Sequence, residues 1–134
     1  MGANDKIVEI NVDIDIVTAR QEGRAIASQL GFSGGEQALI ATAISEAARN
    51  ILQYAGHGTI ALSIIEEGSK KGILIVAQDS GPGIPDIEQA LIDGYSSAGG
   101  LGLGLPGMKR LMSELEITSE VDKGTTLTMK RWVW

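Results

Sequence analysis

The chain has 134 residues, a net charge of −6, 43% hydrophobic content, 18 glycines and no cysteine. That length suits one domain, 1–134, whose core buries roughly two-thirds of the unfolded surface. An acidic surface argues against nucleic acid and anionic membranes as partners. The lack of cysteine excludes disulfides and thiolate chemistry and suits the cytoplasm, and the single histidine, His57, excludes sites needing two histidine ligands.

The opening MGANDKIVEI has no apolar signal-peptide core, and Lys6 stands where a myristoylation pattern needs Ser or Thr. Lys6 to Val12 alternates Val8, Ile10 and Val12 with polar residues, which predicts a strand. Helical spacing of Ile16, Ala19, Gly23, Ile26, Ala27 and Leu30 follows, with Asp15 to cap its start and Gly31 its end. A second helix is expected from Glu36 to Tyr54, with Leu39, Ala43, Ile44, Ala47 and Ile51 on one face. Ser33 can cap it, and Glu36 three residues on completes a capping box.

Thr59 to Glu66 and Gly72 to Gln78 read as an antiparallel strand pair joined by Glu67 to Lys71. Pro85 opens a short helix to about Ile92, Asp93 to Leu103 reads as a mobile loop, and Pro106 opens a helix to about Glu114. Glu116 to Val121 and Thr125 to Val133 form a last hairpin across Asp122, Lys123 and Gly124. The sum is an α/β (α+β) two-layer sandwich: about five mainly antiparallel strands with helices on one face.

Three segments carry chemistry. In ISEAARN, Glu46 and Asn50 lie one helical turn apart on one face. A carboxylate and an amide oxygen so placed can serve a hydroxyl and a hard cation such as Mg²⁺, which keeps several waters and needs few protein ligands; taken alone, the pair reads first as a solvated helix face. In DSGPGIP, Asp79 ends an apolar strand, where a carboxylate can accept from an adenine amine, and Gly81 and Gly83 let a flat ring approach. The same residues also build a plain Asx turn. In GGLGLGLPG, bare backbone N–H groups lead into a helix N-terminus, which together make an anion site; a glycine hinge is the bland alternative. Gly102, Gly104 and Gly107 have GxGxxG spacing, but no βαβ unit surrounds them, and no Walker A motif occurs.

In combination and in this order, the segments resemble the nucleotide site of the GHKL superfamily, which holds gyrase, Hsp90, histidine kinases and MutL. Glu46 and Asn50 match its N box, Asp79, Gly81 and Gly83 its first glycine box, and Gly100, Gly102 and Gly104 its second. Gly124-Thr125 matches the late Gly-Thr element, whose Thr supports the adenine-binding Asp. Within the superfamily, TAISEAARNI, GPGIPDIEQAL and GGLGLGLPGMKRLM are most similar to the stressosome switch kinases, sisters of the anti-sigma-factor kinases.

The resemblance implies a Bergerat fold that binds ATP and Mg²⁺ and phosphorylates serine or threonine on STAS-domain proteins. The freed kinase then activates a downstream phosphatase or other output protein. It makes Glu46 catalytic, Asn50 the metal ligand, and Asn50, Asp79, Gly81, Gly83, Gly99, Gly100, Leu101, Gly102, Leu103, Gly104 and Thr125 the nucleotide-binding residues. The alternative on the same fold is an ATP-dependent binding module, an anti-sigma factor. His57 reads as a turn residue, Ser96 and Ser97 as small loop residues, and Trp132 and Trp134 as packing on the sheet edge. Arg49 faces either the phosphates, a partner or a surface ion pair; Lys109 and Arg110 face either phosphate, a partner or solvent.

Overall fold

Alternating apolar residues put one side of a five-stranded sheet under two helices. The computed structural model describes residues 5–81, 108, 110–121 and 123–133. In chain order the elements are β1 (Lys6–Ile10), α1 (Ile14–Leu30), α2 (Gly34–Asn50), a π-helical turn (Ile51–Ala55), β2 (Gly58–Glu67), β3 (Lys70–Asp79), β4 (Glu114–Glu120) and β5 (Gly124–Trp132). The sheet runs β1-β2-β3-β5-β4, with every neighbouring pair antiparallel. Ile10, Ile60, Leu62, Ile73, Ile75 and Met129 are fully buried and meet Ile40, Ile44 and Ile51 from the helical side.

β1 is shorter than its alternation predicts. Val12 lies beyond its end and is 57% exposed. The carboxylate of Asp15 explains the turn, accepting the N–H groups of Asn11 (2.8 Å) and Val12 (3.0 Å). These two bonds hold Asp15 below the usual aspartate range. So Asp15 does not cap α1 as expected. It sits in the first turn, and Asp13 at the N-cap makes no side-chain capping bond.

At α2 the expected capping box is present. Ser33 Oγ accepts the Glu36 N–H at 3.2 Å, and Glu36 Oε1 accepts the Ser33 N–H at 3.3 Å. The Ser33 N–H and hydroxyl hold Glu36 below the usual glutamate range. Replacing Ser33 with Ala is expected to lower stability by about 1 kcal/mol. ATP affinity should stay unchanged, because Glu46 and Asn50 stand at the far end of the helix. Urea unfolding beside calorimetry checks this; an unchanged midpoint removes the capping contribution.

The face of α2 turned to the core differs from the expected one at Leu39, which is 38% exposed while Ile40 is fully buried. Regular α-helix also stops at Asn50 and not at Tyr54. The Gly56 N–H reaches back five residues to the Ile51 carbonyl (2.8 Å), the bond of a π turn. Glu114 belongs to β4 and not to the preceding helix; Met108, Arg110 and Leu111 are the described helical residues there. The segments expected at Pro85 to Ile92 and Asp93 to Leu103, together with Lys109 and Trp134, lie outside the described residues. Trp132 lies across Gly72 on the uncovered side of the sheet, donates its indole N–H to Glu114 (2.9 Å) and carries Lys70 Nζ 5.2 Å from its ring centre. Among the described residues, no helix is long and apolar enough to cross a membrane.

Candidate functional site

Alternation along β3 puts Asp79 on the helix-facing side with Ile73, Ile75 and Ala77. Asp79 is the last residue of the central strand, flanked by Gly58 of β2 and Thr125 of β5. Its Oδ1 accepts the Gly81 N–H at 2.9 Å. That closes an Asx turn and leaves the carboxylate with lone pairs for a further donor.

Gly81 has no left-handed backbone, so its need is for space. A Cβ there would lie 2.6 Å from Ala55 Cβ and 3.2 Å from the Tyr54 carbonyl oxygen. Gly124, by contrast, has φ 117°, and a Cβ there would lie 2.1 Å from the Asp79 carbonyl oxygen. The Gly-Thr element therefore lets β5 close on the end of β3. Thr125 stands directly across from Asp79, yet its hydroxyl bonds to Ser119 Oγ at 3.0 Å. Its link to Asp79 thus runs through strand pairing. Ser119, which also donates to the Gly124 carbonyl (3.1 Å), was not singled out by sequence reasoning; its one signal is its place opposite Thr125 in the last hairpin.

Glu46 and Asn50 both lie on α2, half-buried, one turn apart as expected. Arg49 donates to Glu46 Oε1, which makes the surface ion pair one of the three readings left open for it. The π turn begins at the residue after Asn50 and presses on Gly81, so α2 and the end of β3 meet through Ile51–Ala55. π turns recur at functional sites.

Gly83, Gly99, Gly100, Leu101, Gly102, Leu103 and Gly104 lie outside the described residues, as do Ser96 and Ser97. His57 is exposed after the π turn and lines a hollow of about 320 Å³ with Glu9, Asn11, Gly58, Thr59, Gln78, Asp79 and Ser80. Thr59 and Gln78 point to the opposite side of the sheet from Asp79, but the hollow reaches Asp79 itself at the strand end and so adjoins the candidate site. The donor set suits ATP and a hard cation: a carboxylate beside a glycine turn, and, on α2, an amide and a carboxylate one helical turn apart.

The Asx turn at the end of β3 thus packs, through the π turn, against the helix that carries Glu46 and Asn50. The family model described as histidine kinase-, DNA gyrase B- and HSP90-like ATPase matches residues 35–132, and the chain belongs to that family. It is an RsbT-like member: the serine/threonine-protein kinase RsbT of Bacillus subtilis (strain 168) is 51% identical over 126 residues, 94% of this chain and 95% of RsbT. An anti-sigma F factor of Geobacillus stearothermophilus is 32% identical over 84% of this chain and 81% of its own length.

Among solved structures, a SiaB–SiaC complex from Pseudomonas aeruginosa matches with TM-score 0.59 and 14% identity, over 95% of this chain and 89% of that one. The catalytic domain of histidine kinase ThkA matches with TM-score 0.52 and 13% identity, over 94% and 95%. These two likenesses are of fold alone.

Proposed function

We propose that this protein is a cytoplasmic serine/threonine kinase that transfers the γ-phosphate of ATP to a STAS-domain partner. Released from that partner, it then activates a downstream phosphatase or other output protein. The observation that carries this reading is 51% identity to a serine/threonine kinase along nearly the whole of both chains.

In this scheme Asp79 accepts the adenine amine, with Thr125 bracing the strand behind it. Gly81 and Gly83 admit the ring. The stretch Gly99, Gly100, Leu101, Gly102, Leu103 and Gly104 offers backbone N–H groups to the phosphates. Asn50 would hold Mg²⁺, which when bound neutralises phosphate charge. Glu46 takes the proton of the serine hydroxyl as its oxygen bonds to the γ-phosphorus and the bond to the ADP oxygen breaks. Little covalent work falls to the protein, so position and charge carry the rate.

The anti-sigma relatives share the fold at lower identity, 32%, which ranks the binding-module reading second. Labelled ATP with Mg²⁺ and a STAS-domain protein is expected to yield phosphoserine or phosphothreonine on that protein, and EDTA to abolish it. Transfer that survives EDTA removes Mg²⁺ and Asn50's metal role from the scheme. No transfer to any STAS protein, with tight binding of a sigma factor, establishes the second reading instead.

A further inference from the structure

Gly58 is not part of the nucleotide motifs, and its backbone lies outside the left-handed region, so conformation does not require glycine there. Space does. A Cβ at Gly58 would lie 2.4 Å from the Gln78 carbonyl oxygen, 2.9 Å from Ile51 Cγ2 and 3.2 Å from Asp79 Cβ. Comfortable carbon contacts begin at about 3.5 Å. The first is the oxygen of the last peptide of β3, the second lies on the first residue of the π turn, and the third is the side-chain stem of Asp79.

Gly58 and Gly81 thus receive the two ends of that turn, Ile51 against one and Ala55 against the other. Between them sits Asp79, paired with Gly58 across the strands. Any side chain at 58 must push the Gln78 carbonyl and the Asp79 stem away from β2, and so turn the carboxylate.

We infer that Gly58 is a positioning residue for nucleotide recognition: with Ile51 Cγ2 it fixes the direction of the Asp79 carboxylate. This rests on the reading of Asp79 as the adenine acceptor. A hydrogen bond weakens steeply as its angle closes, so a displaced carboxylate loses its preference for the adenine amine before the fold is lost.

The test is the ratio of ATP to GTP affinity by calorimetry, which does not depend on the fraction of protein folded. Gly58→Ala is expected to lower ATP affinity by about tenfold, the worth of one hydrogen bond to a charged group, with GTP nearly unaffected. In an Asp79→Asn background the same change should add less than about twofold, because the group it aims is gone. The Gly81 amide proton, bonded to Asp79 Oδ1, should shift in the nucleotide-free spectrum of Gly58→Ala.

Should Gly58→Ala not fold, Ile51→Ala and Ile51→Val carry the test. Alanine removes the methyl facing Gly58 and should reduce the ATP:GTP ratio, while valine retains it and should not. Equal losses of ATP and GTP affinity, or full additivity with Asp79→Asn, overturn the inference and leave a packing role only. If Asp79→Asn alone leaves ATP affinity unchanged, the nucleotide-site reading falls and this inference with it.

Discussion

Glu46→Gln is expected to bind ATP as the unaltered protein does and to transfer phosphate about 10²–10⁴-fold more slowly, the usual worth of general-base assistance. Glutamine keeps the shape and loses the proton acceptor, so a role confined to the transition state lowers the transfer rate and spares affinity. Stability offers no competing explanation. The ion pair Glu46 makes with Arg49 joins two partly exposed side chains three residues apart on one helix, with side-chain exposures of 37% and 53%. Such pairs contribute about 0–1 kcal/mol. A variant that still docks but does not transfer should also hold the STAS partner that phosphorylation releases. Single-turnover transfer from labelled ATP, beside calorimetry on the same variant, makes the measurement. Transfer at the unaltered rate dismisses Glu46 as the base.

The second large effect is expected at Asp79. Its Oδ1 already serves the Gly81 N–H. An asparagine has a single acceptor oxygen, so in Asp79→Asn that oxygen stays with Gly81 and the amide nitrogen turns to the purine. A donor then faces the adenine amine, and an unpaired buried amine costs about 1–3 kcal/mol. ATP should bind at least about tenfold more weakly. Guanine presents an oxygen at the same edge, so the preference for ATP over GTP should collapse with it. Equal ATP and GTP affinities in the unaltered protein rule out Asp79 as the adenine acceptor.

Much of this frame was legible because its signals are local. Ser33 and Glu36 announce the start of α2 by spacing alone, and the β2–β3 and β4–β5 pairs follow from alternation and turn residues. The departures have physical causes that spacing does not encode. Val12 continues the alternation, yet Asp15 captures its N–H and ends the strand. Apolar periodicity through Tyr54 does not distinguish a bond to the fourth residue back from one to the fifth, so the π turn was invisible. Leu39 and Ile40 are adjacent and similarly apolar; packing against the sheet chose Ile40.

At the site, the residue types of Glu46, Asn50, Asp79, Gly81 and Thr125 could be read from motif order. The Arg49–Glu46 contact, Ser119 behind Thr125 and the spatial demand at Gly58 depend on which strands lie side by side.

The strand order has a kinetic consequence. β2 and β3 are joined by a two-residue turn and can pair as soon as they collapse, whereas β5 reaches β3 only after a long stretch of chain has been closed. Closing that loop costs entropy before the pairing returns any stability, so the β3–β5 contact is expected to form more slowly than the β2–β3 hairpin. Asp79 therefore has Gly58 at one side early and Thr125 at the other late. If Asp79 and Thr125 hold ATP as proposed, ATP will bind only the finished arrangement and by mass action draw the chain toward the state in which β5 has docked.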